Sequence, residues 1–185
     1  MAPIAVPVPG LVVLIGAAGS GKSTLAARLF APRELLSSDE LREAVSGDAA
    51  DQRATRPAFA ILHREVRRRL DAGRLVVVDA TNVERSARLS LVRIARAAGA
   101  PTIAIAWAVP AAEAHARNAG RTGRVVPAAV VDRHLDRLAG LGDTPAAISA
   151  ALLMEGFSAA TVLSTPSDLA TARVVRGVPM PLSPP

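Results

Sequence analysis

Residues 16–23 read G-A-A-G-S-G-K-S, the spacing of a phosphate-binding loop with its fixed glycines at Gly16 and Gly21 and a Lys-Ser pair at its end. Each residue type answers a chemical need. Glycines let the backbone curl until several N–H groups converge on a phosphate, and a helix opening directly afterwards adds its positive end. Lys22 is then expected to bridge the β- and γ-phosphates of a nucleotide as a compact point charge, with the Ser23 hydroxyl on Mg²⁺. Gly19, Ser20, Gly21 and Thr24 are the remaining expected nucleotide contacts.

Such a loop serves ATPases, GTPases and kinases alike, so the partners of the loop must name the reaction. Of the 22 basic residues 21 are arginine and Lys22 is the one lysine, which leaves no lysine for the N-K-x-D segment of a guanine-selective switch. Asp39 and Arg42 follow a short apolar run in L-L-S-S-D-E-L-R. Asp39 is placed to accept the proton of an attacking hydroxyl, or else to cap a helix beginning at Glu40. Arg42, one helical turn on, is placed to hold a phosphate. Asp79 closes the run V-V-V-D-A-T-N and reads either as a carboxylate acting on Mg²⁺ or its water shell, or as the start of a turn with Thr81 and Asn82. Arg117, Arg121 and Arg124 cluster around two glycines, as arginines of a closing lid or as a solvated surface, with Arg117 and Arg124 the better lid candidates. His63, His115 and His134 show no metal-ligand spacing. Arg64, Arg67, Arg68 and Arg69 offer a nucleic-acid track or a charged helix face, without an aromatic platform beside them.

The elements that must position these residues alternate along the chain. Leu11 to Ile15 is a continuous β-branched and leucine run, as a strand buried on both faces requires. A helix from Ser23, a strand at Glu34 to Ser37, a helix from Pro57 to Ala72 and a strand at Leu75 to Val78 follow. A helix marked by Val83, Ala87, Leu91 and Ile94 then precedes a strand at Thr102 to Ala108 and a helix opened by Pro110. Residues 120–126 link that helix to another near Pro127, and a last strand is expected near Ala160 to Leu163. This alternation implies an α/β fold with a central parallel sheet flanked by helices. Residues 1–10 read as an extension and the proline-rich residues 177–185 as a disordered tail, which leaves one domain over 11–176.

Composition excludes further classes. The absence of cysteine removes disulfide scaffolds, thiolate metal clusters and cysteine nucleophiles. The proline-broken N-terminus lacks the positive charge of a signal peptide, and Leu11 to Ala18 is too short to span a bilayer, so a cytoplasmic protein without a membrane partner is expected. The net charge of +6 fits a polyanionic partner, but 39 alanines beside 21 arginines point to a general composition bias.

Taken in order, L-V-V-L-I-G-A-A-G-S-G-K-S-T, L-S-S-D-E-L-R, V-V-V-D-A-T-N-V and R-N-A-G-R-T-G-R resemble the kinase module of bacterial polynucleotide kinase-phosphatases. The resemblance extends from about Leu11 to Val175 and takes in G-D-A-A-D-Q and M-E-G-F. It implies a three-layer P-loop kinase fold with a helical lid around residues 117–126, ATP and Mg²⁺ at Lys22 and Ser23, and Asp39 as general base for a nucleic-acid 5′-hydroxyl. It also implies Arg42 on the acceptor side and Arg117, Arg121 and Arg124 on the donor. The family's phosphatase and ligase-like modules find no counterpart in 185 residues. The residues themselves support phosphoryl transfer to a hydroxyl, and only the resemblance supplies the polynucleotide. A small-metabolite kinase acting on a sugar, an antibiotic or a nucleotide sugar stays open, as does a non-catalytic ATP-binding module.

Overall fold

The computed structural model describes residues 3–47, 55–121 and 125–181. Five parallel strands form the central sheet: β2 (Gly10–Ile15), β3 (Leu35–Ser37), β4 (Leu75–Asp79), β5 (Thr102–Trp107) and β6 (Ala159–Leu163). Their spatial order is β3-β4-β2-β5-β6, which puts β2 in the middle with β4 and β5 on either side. Alternation along β2 divides the core. Leu11, Val13 and Ile15 pack into one cluster, and Val12 and Leu14 into the other.

The first cluster is completed by α3 (Thr55–Asp71), α4 (Arg85–Ala97) and α7 (Pro145–Met154), which contribute Leu62, Val66, Leu91 and Leu152. On the other face lie α1 (Lys22–Leu29), α5 (Ala111–Ala119), the start of α6 (Ala128–Ala139) and α8 (Pro166–Thr171), with Leu25, Ala114 and Val131 inward. Between β3 and α3 runs α2 (Ser38–Ser46). The result is the expected three-layer α/β P-loop kinase fold. Because the chain leaves β2 toward β3 on one side and later returns to β5 on the other, β2 lies at the topological switch point where open α/β sheets bind ligands.

Two expectations about the chain ends change. Residues 4–6, read from sequence as part of an extension, form β1 (Ile4–Val6), which pairs in parallel with β7 (Val174–Arg176). Ile4 and Val6 are buried in the second core cluster, and Met180 packs against it from the chain end read as a disordered tail. Strands of three residues carry no readable period. Helices α7 and α8 were also unanticipated, although each opens with a Thr-Pro signal: Thr144 Oγ1 accepts from the Ala147 N–H at 3.1 Å, and Thr165 caps α8. Among the described residues no helix is long and apolar enough to cross a membrane.

If β1 is part of the domain, Ile4→Ala lowers unfolding stability in urea by about 2 kcal/mol or more. Val8→Ala, at an exposed position, changes it by no more than about 0.5 kcal/mol. Equal effects of the two substitutions would detach the strand from the core.

Candidate active site

A cleft of about 590 Å³ opens at the carboxyl ends of the strands. It is lined by Gly19, Gly21, Lys22, Ser23 and Thr24 from the phosphate loop and the start of α1, by Asp39 and Arg42 from α2, by Asp79 at the end of β4, and by Arg117 and Arg121. Every described site residue expected from sequence is therefore gathered in one place, apart from Ser20. Ser20 is buried behind the loop, where its Oγ lies 3.2 Å from Lys22 Nζ. Arg124 lies outside the described residues, as do residues 48–52 of the G-D-A-A-D-Q stretch.

The loop takes its shape from close packing. Gly19 and Gly21 have φ values of +78° and +95°, in the left-handed region that favours glycine. A Cβ on Gly19 would stand 2.3 Å from the Ala114 carbonyl oxygen, so a side chain there would push the loop off α5. Gly21 is the N-cap of α1 and offers no side chain to satisfy the first-turn N–H groups, which suits an anion seat.

Lys22 is buried, and its Nζ donates to the carbonyls of Gly16 at 2.9 Å and Ala17 at 2.7 Å. Burial pulls its pKa down from the usual 10.5 to about 8. The Asp79 carboxylate opposes that shift and the Arg121 guanidinium reinforces it, so both charges lie within electrostatic reach of the ammonium.

Ser37, not Asp39, caps α2: its Oγ accepts from the Glu40 N–H at 3.3 Å. The helix thus begins earlier than its charge pattern implied, and Asp39 occupies the first turn instead of a capping position. The Asp39 carboxylate is half exposed and takes a hydrogen bond from Arg42 Nη2, whose side chain is only 10% exposed. One carboxylate oxygen is oriented by a buried cation at the cleft wall.

Arg117 departs from the picture of an arginine on a closing segment. It sits on α5, pairs with Glu113, and its Nη1 donates to the Ser20 carbonyl at 3.1 Å, which fixes it to the phosphate loop itself. A second cavity of about 430 Å³ shares Gly21, Thr24 and Arg117 with the cleft and continues to Leu25, Pro166 and Leu169.

Sequence reasoning missed the apolar and acidic lining. Phe59, Thr81, Glu84, Val126, Val130 and His134 also face the cleft. His134 reaches the loop, its Nδ1 accepting from the Ala18 N–H at 3.4 Å. A tertiary contact between α6 and the loop leaves no local signal in sequence. Conversely, most of the arginine track on α3 is neutralised: Arg67 pairs with Asp71, and Arg68 and Arg69 both pair with Glu65. Glu65 is held down to a pKa of about 2 by those two guanidinium hydrogen bonds. Among the described residues no group of three or more His, Asp or Glu is placed to hold a metal.

Solved structures share this fold at low identity. A gluconokinase from Sinorhizobium meliloti is 21% identical over 89% of this chain and 87% of its own, with a TM-score of 0.55. A sugar kinase from Janibacter is 22% identical over 86% and 89%, with a TM-score of 0.56. Chaetomium thermophilum Kti12, solved with ADP-AlF3, is 19% identical over 88% and 94%, with a TM-score of 0.59. No curated protein matches the sequence. A family model described as an AAA domain matches residues 11–141, more than half of the chain, and the chain belongs to that AAA-domain family.

Proposed function

We propose that this protein is an ATP- and Mg²⁺-dependent phosphotransferase that moves the γ-phosphate of a nucleotide to a hydroxyl on a small, compact acceptor. The observation that carries the proposal is the convergence of Lys22, Asp79, Asp39 and Arg42 on one cleft at the switch point of the sheet. Phosphoryl transfer leaves little covalent work to the protein, so positioning and charge neutralisation supply most of the catalysis.

The roles follow from placement. Lys22 and the N-terminus of α1 hold the phosphates. Arg117, fixed to the phosphate loop through the Ser20 carbonyl, and Arg121 neutralise the donor. The second cavity suits the nucleotide base, which would lie against the planar Arg117 guanidinium and the apolar side chains of Leu25 and Leu169. Asp39, steadied by Arg42, takes the proton from the attacking hydroxyl. Ser23 and Asp79 are the protein groups that would hold Mg²⁺, and two suffice because this ion keeps waters and takes substrate phosphates as its other ligands. When bound, the ion screens charge on the β- and γ-phosphates.

For the acceptor, the size of the cleft and the pairing of Arg67, Arg68 and Arg69 on α3 favour a small molecule over a long polyanion. The likeness of the fold to a gluconokinase and a sugar kinase agrees with that preference. A polynucleotide 5′-hydroxyl is the second reading, favoured by the ordered motifs around Asp39 and Arg117.

Transfer of labelled γ-phosphate separates the two readings. A panel of sugars, sugar acids and nucleosides is predicted to yield a phosphorylated product, whereas 5′-hydroxyl oligonucleotides yield little. The reverse pattern would establish the polynucleotide reading. Asp39→Asn is predicted to lower kcat about 100-fold or more with little change in the KM for ATP. Undiminished turnover would remove Asp39 as the base.

The depressed Lys22 pKa gives a signed pH dependence. Above about pH 8 the unliganded ammonium loses its proton, while bound phosphates hold the proton on. Nucleotide affinity measured by calorimetry should therefore fall as pH rises from 8 to 9.5. In Lys22→Arg, whose guanidinium does not titrate there, the affinity should be flat over that range. A flat wild-type profile would contradict the assigned environment of Lys22.

A further inference from the structure

The loop that follows β4 carries three cleft residues, Ala80, Thr81 and Glu84, and is tied to the phosphate loop at its root. The Gly16 N–H donates to the Thr81 carbonyl at 2.9 Å, and Asn82 Nδ2 donates to the Leu14 carbonyl at 2.7 Å. Among the described residues Asn82 is the one non-glycine with a positive φ, at +46°. Such a turn holds for an L-residue only when its surroundings over-determine it.

What over-determines it is Arg88, a charged side chain on α4 that is only 2% exposed. Its Nη1 donates to the carbonyls of both Asn82 and Val83, at 3.0 and 2.7 Å. Its Nε and Nη2 form a two-pronged pair with Glu155, at 2.6 and 2.7 Å. The Glu155 side chain is 7% exposed and stands at the C-terminal end of α7, outside the lining of the cleft. Four donors of one rigid planar group are engaged, a pattern that a lysine cannot reproduce.

A buried ion pair is a poor way to gain stability, because desolvation offsets the attraction and an apolar pair of similar volume serves as well or better. What the pair does supply is a fixed direction for two backbone carbonyls. We propose that Arg88, held by Glu155, is a positioning residue for phosphoryl transfer: it locks the turn at Asn82 and so keeps Asp79 and Thr81 in register with Lys22 and Ser23. This role rests on the phosphotransferase reading, but its structural half can be measured without turnover.

The test uses the double variant Arg88→Met/Glu155→Leu, which keeps the volume and removes both charges, with Arg88→Lys as a second probe in case the double variant does not fold. Arg85→Ala is the control, because Arg85 approaches the same Glu155 at 3.6 Å from a side chain that is 69% exposed. Thermal unfolding reports the fold, amide exchange at Gly16 reports the loop junction, and steady-state kinetics report the reaction. The expected result for the folded variants is at least tenfold faster exchange at Gly16, with exchange at Val13 unchanged. Their kcat should fall at least tenfold, with the KM for ATP within about threefold of the wild type. Arg85→Ala should match the wild type in all three measurements. A folded variant with wild-type exchange at Gly16 would overturn the proposal. So would faster exchange with an unchanged kcat, since the pair would then be only structural. If the wild type phosphorylates no acceptor, the phosphotransferase reading fails, and the exchange measurement still decides whether the pair orders the loop.

Discussion

One buried ammonium organises this molecule. Lys22 sits inside its loop and hydrogen-bonds to the Gly16 and Ala17 carbonyls, away from the water that would otherwise solvate its charge. Burying it there has an electrostatic cost, visible in a pKa drawn down to about 8. The surrounding structure can be understood as what makes that position tolerable and useful. Three adjacent parallel strands hold the loop from below, Gly19 permits close approach to α5, and Asp79 supplies the opposing charge. A phosphate entering the cleft would give the ammonium the partner that burial denies it.

The arginines complete that arrangement with a different geometry. A guanidinium is a rigid fork that engages several acceptors at once, so it suits places where direction matters. Arg42 orients the Asp39 carboxylate, Arg117 grips the Ser20 carbonyl, and Arg88 spans two backbone carbonyls and a carboxylate. The lone lysine occupies the one place where a slim point charge is needed. The net charge of +6, by contrast, says little about partners once Arg67, Arg68 and Arg69 of α3 are seen to be paired with Glu65 and Asp71.

Strong local signals made much of this legible in the sequence. The run from Leu11 to Ile15 reads as a strand buried on both faces, and the glycine pattern after it marked the turn into α1 that the cleft now exposes. Asp39, Arg42 and Asp79 were readable because each lies at a strand end or within the first turns of a helix, where the fold must bring it to the same edge. What stayed hidden depends on distant contacts. The three-residue strands β1 and β7 pair across almost the whole chain, and α7 is apolar around most of its circumference, so neither shows a period. The Ser37 cap displaced the expected Asp39 cap because two adjacent serines make the helix start ambiguous. His134 and Glu155 enter only through tertiary packing.

In the proposed reaction the cleft joins a nucleotide to a hydroxyl acceptor. Following the γ-phosphate by ³¹P NMR, with ATP, Mg²⁺ and a mixture of hydroxyl-bearing metabolites, tests it most directly. The expected result is a new phosphate-monoester resonance that grows as ATP is lost and is absent with Asp39→Asn. Bound ATP that yields only inorganic phosphate, or no product at all, across metabolites and oligonucleotides alike would contradict it.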